Sequence, residues 1–169
     1  EIAKANGDVS YGDIKVIPLN SEKFLSFQIG NLIFIDTYQF MSTSLEKQVS
    51  LLLQSRTDKF VHTIRHLGTN PLLFAKGVYP YSHMKSRENF LETELPPIEE
   101  FYNSLTEEHL SQEDYDRAKR TWDEFGIENM EQYTNHYILS DVLLLTDVYL
   151  NFRQLVMSNF KLDPAHYIS

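Results

Sequence analysis

The sequence predicts an α/β unit in which a small N-terminal sheet precedes a run of helices. Two observations carry this. Short β-type runs crowd the chain before residue 42 and are separated by Pro18 and Gly30-Asn31. Beyond residue 42 the apolar spacing turns helical and is bracketed by capping signals. Strands first and helices after is the order of an α/β or α+β unit. At 169 residues the chain is long enough for one domain with a real core, residues 1–41 supplying the sheet and 42–169 being mostly helical.

In order, Ile14-Lys15-Val16-Ile17 reads as a short strand stopped by Pro18. Residues 23–29 and 32–35 read as a β-hairpin turning at Gly30-Asn31. Leu32-Ile33-Phe34-Ile35 is apolar on both faces, which predicts an internal strand covered by helices. Thr43 and Glu46 have capping-box spacing, so a helix is expected from about Ser44 to Gln54. Asn70-Pro71 starts another, with Gly77 as its stop and Lys76 at its very end. A short helix is expected around Ile98–Ser104. Ser111 opens a charged helix that Gly126 closes, with Trp122 and Phe125 docking on the rest. The last helical region runs from Asn129 or Glu131 to about Phe160, either unbroken or interrupted near Ser140, and Asp163-Pro164 ends it.

Composition narrows the function. Apolar content of 42% and 13% aromatics exclude a disordered chain. No apolar run is long enough to span a bilayer, and no signal-peptide pattern is present, so no membrane partner and a non-secreted, intracellular protein are expected. Zero cysteines exclude disulfides and thiolate metal sites. A net charge of −9 argues against a protein that coats DNA by charge alone, but not against an enzyme that meets nucleic acid through carboxylate-held metal ions.

The most apolar stretch, residues 137–153, carries two aspartates. Tyr137 and Asp141 stand four apart, on one helix face that continues through Leu144, Val148 and Phe152. A carboxylate on that stripe needs a cation, a donor or a wet cleft. Two-metal phosphoryl hydrolysis uses clustered carboxylates, and a nearby tyrosine can position the attacking water. Alternatively, and more commonly for this spacing, Ser140 or Asp141 caps a helix while Tyr137 packs. Lys76 either compensates a helix C-terminus or faces a phosphate. Asp36, at a strand end, either binds metal or caps the next turn. His62 and His66 have the spacing of a helical zinc pair, with no further ligand evident. Tyr79 and Tyr81 either stack on bases or pack as an aromatic loop.

Several motifs in order resemble a known family: Asp36-Thr37-Tyr38-Gln39-Phe40-Met41 after the hairpin, Lys76-Gly77-Val78-Tyr79-Pro80-Tyr81, Leu95-Pro96-Pro97, Tyr137-Ile138-Leu139-Ser140-Asp141 and Leu162-Asp163-Pro164-Ala165-His166-Tyr167. Together they look like the 3′→5′ exonuclease region of the protein-primed family B DNA polymerases, most closely those of Maverick/Polinton-type transposons and related viruses. The resemblance covers residues 14–169. It implies a ribonuclease H-like exonuclease domain, here partial, from a DNA-directed DNA polymerase acting in DNA replication. Asp141 would bind a divalent metal, Mg2+ or Mn2+, and Tyr137 would orient the attacking water. Lys76 would assist catalysis, in a K-x-x-hydrophobic pattern that Tyr79 completes. Thr37, Tyr38 and Met41 match an element that contacts single-stranded DNA or the priming protein, although Tyr38 stands where the family has leucine. The implied partners are a single-stranded DNA 3′ end, a priming protein and the remainder of the polymerase chain, in the nucleus or at a viral replication site.

The family's first motif, D-x-E on a strand, does not occur in the sequence. Its second is imitated by Asn31-Leu32-Ile33-Phe34-Ile35-Asp36 with the wrong spacing. The chain is therefore expected to be an internal fragment with little or no nuclease activity by itself. The alternative is a non-catalytic DNA- or protein-binding scaffold derived from such a polymerase.

Overall fold

The structure, a computed structural model, describes residues 14–20, 23–55, 57–104 and 107–168. Among them the chain is mixed α/β: a three-stranded antiparallel sheet followed by helices. Contacts divide it into two compact units. One takes the described residues up to Ser44 and those from Tyr149 onward; the other is Leu45–Val148.

The first unit contains strands β1 (Ile14–Pro18), β2 (Phe24–Ile29) and β3 (Leu32–Ile35), hydrogen-bonded in that order. Gly30 turns the β2–β3 hairpin at φ +57, a conformation that disfavours any side chain, and its carbonyl accepts from Gln28 Nε2 at 2.7 Å. Phe27 and Phe34 face each other across the ladder and stack with centroids 4.4 Å apart.

The expectation for β3 needs correction. The central strand is β2, whereas β3 lies at an edge of the described sheet with Leu32 and Ile33 each 65% exposed. Continuous hydropathy marks a strand that accepts burial; it does not choose which strand lies between two others. Beyond β3, Asp36 accepts from the Tyr38 amide at 3.0 Å and so caps the 3-10 turn Thr37–Gln39.

The second unit begins with α1 (Leu45–Ser55) and α2 (Val61–Leu67). Two longer helices follow, α3 (Gln112–Glu124) and α4 (Met130–Phe160), the last crossing into the first unit. As the sequence indicates, the Ser111 hydroxyl accepts from the Asp114 amide at 3.1 Å to open α3, and Gly126 at φ +61 follows its end. Helix α4 runs through Ser140 without interruption. Ala118, Ile127, Met130 and Tyr133 form a buried cluster, against which Val78, Tyr79, Trp122 and Phe125 pack. At the C-terminal end of the chain, in the first unit, Arg153 grips Asp163 with two nitrogens. Asp163 also caps the turn Pro164–His166, and the guanidinium holds its carboxyl down at about 2.

The buried aspartate of α4 is Asp147, only 1% exposed. Its carboxylate accepts from the His62 amide at 2.9 Å, the Thr63 amide at 2.8 Å and the Thr63 hydroxyl at 2.8 Å. Phe60, at the N-cap position of α2, has no side-chain acceptor to offer. Asp147 therefore bonds the two amides that a local N-cap side chain would take. His62 and His66 sit on this helix, and among the described residues no group of three or more metal-binding side chains converges.

The sequence also misplaces Lys76. The turn opened by Asn70, whose side chain accepts from the Leu72 amide, is a 3-10 turn that ends at Phe74. Ala75 is already extended, so Lys76 stands in a loop and not at a helix end. Gly77 is not a left-handed helix stop; it is not among the glycines with positive φ.

No helix among the described residues is long and apolar enough to cross a membrane.

Candidate functional site

The part of helix α4 up to Val148 and the loop Lys76–Tyr81 build the site, both within the second unit. Successive turns of α4 grip the loop. The Tyr133 hydroxyl donates to the Val78 carbonyl at 2.8 Å, and the Thr134 and Tyr79 hydroxyls pair at 2.9 Å. One turn later the Tyr137 hydroxyl pairs with that of Tyr81 at 2.8 Å. The Tyr137 ring stacks on Tyr79 with centroids 5.0 Å apart and planes 24° from parallel.

Gly77 permits this approach. A Cβ there would meet Tyr137 Cδ2 at 2.8 Å and Cε2 at 3.2 Å, inside van der Waals contact. On the other side, Arg117 of α3 donates to the Lys76 carbonyl at 3.1 Å while pairing with Asp114 at 2.7 Å. The loop is thus fixed from two helices. Together they enclose a cleft of about 360 Å³ whose lining includes Lys76, Tyr79, Tyr81, Tyr102, Arg117 and Tyr137.

Asp141 follows Tyr137 by one helical turn and is half-buried. Its Oδ1 is buried without a hydrogen-bond partner among the described residues. Burial pushes the carboxyl above its usual range, opposed by the Tyr137 hydroxyl and the positive charge of Lys76. Burial likewise drives the Tyr137 phenol far up, helped by the Tyr81 hydroxyl and the Asp141 charge, so it stays protonated at any physiological pH. The result is a carboxyl raised by burial, a neutral phenol and the Lys76 ammonium within one neighbourhood. Such a group can hold a cation, orient a water or face an anionic ligand.

Four of the residues singled out by sequence, Lys76, Tyr79, Tyr137 and Asp141, therefore come together. Asp36, Thr37 and Tyr38 belong to the other unit, where Asp36 is occupied as a cap and Tyr38 is 58% exposed. Sequence reasoning missed Tyr133 and Thr134 as the anchors of the loop. Their spacing from Tyr137 by four and three residues was the available signal.

No protein-family model matches this sequence, and neither the curated proteins nor the solved structures gave a match.

The Asp141 carboxyl makes a testable demand on stability. A carboxyl raised in the folded state stabilises below its unfolded value, and that contribution is lost as pH rises through the folded value. At neutral pH, ionised Asp141 is then a cost. Asp141→Asn is expected to raise the urea midpoint at pH 7 and to lose that advantage near pH 4. A midpoint at pH 7 equal to or below the parent's would mean that Asp141 is adequately solvated or paired.

Proposed function

We propose that this chain is the 3′→5′ exonuclease region of a DNA-directed DNA polymerase of the protein-primed family B type, with a ribonuclease H-like fold. The convergence of Lys76, Tyr137 and Asp141 carries this reading. Asp141 contributes a carboxylate for a divalent ion, Mg2+ or Mn2+; its unpartnered buried oxygen is suited to that. Tyr137 supplies a hydroxyl that stays neutral and so can hold a water by hydrogen bonding. Lys76 and the faces of Tyr79 and Tyr81 receive phosphate and base of a single-stranded DNA end. Thr37 and Tyr38 are proposed as further contacts to that strand or to the priming protein, at the site of replication in the nucleus or an infected cell.

A two-metal centre needs several carboxylates, and the described residues offer Asp141 without two companions. The site does not by itself fit such a centre. The resemblance would place further ligands on a D-x-E strand, a motif that does not occur in the sequence.

Fluorescence anisotropy with a 3′-labelled single-stranded oligonucleotide tests the reading. Binding should weaken as salt rises, and Lys76→Ala should lower the slope of log affinity against log salt by about 0.7, the value of one phosphate contact on a single strand. With Mg2+ added, the oligonucleotide should remain intact. Affinity unchanged by Lys76→Ala would remove the nucleic-acid reading. Mg2+-dependent degradation lost in Asp141→Ala would show instead that this chain is a complete nuclease.

A further inference from the structure

Outside the site just described, one titratable cluster ties both walls of the cleft together. His83 follows the Tyr79–Tyr81 loop and is 20% exposed. Its Nε2 lies 2.7 Å from Glu92 Oε2, and its Nδ1 lies 3.4 Å from Glu100 Oε2. Glu92 is itself held, since Asn89 donates to its other oxygen at 2.7 Å and its carbonyl accepts from the Met130 amide at the start of α4. Glu100 lies in the 3-10 turn Ile98–Phe101, directly before Tyr102, which lines the cleft together with Tyr79 and Tyr81.

We propose that His83 is a pH-operated clasp that fastens the Tyr102 wall of the cleft to the Tyr79–Tyr81 wall. A neutral imidazole has one N–H, whereas both of these nitrogens face carboxylate oxygens, which only accept. Both arms can be made only by the imidazolium. When the ring loses a proton, the remaining N–H stays with Glu92, which has the shorter bond and the Asn89 brace. Glu100 then faces a lone pair and is released, which leaves the 3.4 Å bond from the Ser82 hydroxyl to the Tyr102 carbonyl as the weaker remaining tie between the walls. Glu92 and Glu100 are the charged groups that act on the ring, and both raise its affinity for a proton against the opposing effect of burial. The sign follows: a histidine raised in the folded state contributes its clasp fully below about pH 6.5, and that contribution is lost as pH rises through the higher folded value. The clasp does not depend on what the cleft binds.

An NMR titration of the whole chain from pH 5 to 9 tests it. The His83 ring should titrate above 6.5, and the Tyr102 and Tyr81 amides should shift with the same midpoint. Glu100→Gln, a substitution at an exposed side chain, should lower that midpoint and abolish the Tyr102 response while leaving the Tyr81 response in place. His83→Gln should remove both responses. A His83 midpoint at or below 6.5, or a Tyr102 amide indifferent to it, overturns the clasp, as does a Tyr102 response that survives in either variant.

Discussion

Replacing Asp147 by alanine is expected to destabilise the second unit by about 3–5 kcal/mol, from a cap worth about 1–2 kcal/mol and buried donors worth about 1–3 kcal/mol each. The carboxylate satisfies the His62 and Thr63 amides and the Thr63 hydroxyl, and is itself 1% exposed. Alanine leaves two of the first amides of α2 and a buried hydroxyl without their acceptor, and a void beside Leu144 and Val148. The N-cap position offers no substitute acceptor, because it is Phe60. Thr63→Ala removes one donor and leaves the two amide bonds intact, so it should cost about 1 kcal/mol. Urea unfolding of both variants decides the matter. Typical domains are stable by about 5–15 kcal/mol, so Asp147→Ala is expected to lose most of that margin. A loss below about 1 kcal/mol for Asp147→Ala would mean that water replaces the carboxylate and that the cap is incidental.

The two aspartates of α4 show how far the sequence could be read. Helical spacing placed Asp141 beside the apolar stripe, and there it is, half-buried. The same spacing applied to Leu144 reaches Asp147 three residues on, the deeper of the two. Nothing in the pattern says that α2 will arrive with unsatisfied amides, since that partnership spans 85 residues between His62 and Asp147. Several features set by local chemistry were legible, although Gly77 did not prove to be a helix stop. The hairpin at Gly30, the cap at Ser111, the stop at Gly126 and the end of α4 all fall where short-range rules put them. Features set by neighbours were not. The four apolar residues of β3 could not reveal that the strand lies at an edge, and Asn70-Pro71 announced a helix without saying that it closes after one 3-10 turn. The candidate site was legible in its members, Lys76, Tyr79, Tyr137 and Asp141. What joins them, the grip of Tyr133, Thr134 and Tyr137 on the loop, depends on tertiary packing.

Gly77→Ala is expected to cost about 1–3 kcal/mol, the range for overpacking a close-fitted contact, and to push Tyr137 out of its stack. A Cβ at that position would stand 2.8 Å from Cδ2 of the ring, and something must move. Cδ2 lies near the base of the side chain. The ring is also held by Tyr79 on its face and by Tyr81 at its hydroxyl, so it cannot simply rotate aside. The loop cannot retreat either, because Val78 and Lys76 are bonded to Tyr133 and Arg117 through their carbonyls. Backbone conformation does not enter, since Gly77 has no positive φ to lose. The whole cost should therefore come from one contact, and a double-mutant cycle isolates it. In a Tyr137→Ala background the Gly77→Ala substitution should be nearly neutral, or slightly stabilising through the lower entropy of the unfolded chain. The coupling energy between the two positions should accordingly be about 1–3 kcal/mol. A Gly77→Ala cost that is the same in both backgrounds would show that the glycine is required by the backbone and not by the ring. Side-chain NMR of Gly77→Ala should show the Tyr79–Tyr137 stack disturbed, with Tyr133 and its bond to Val78 retained. That combination would place the glycine among the residues that position the phenol over the cleft, since it is the absence of a side chain there that lets the ring and the loop meet.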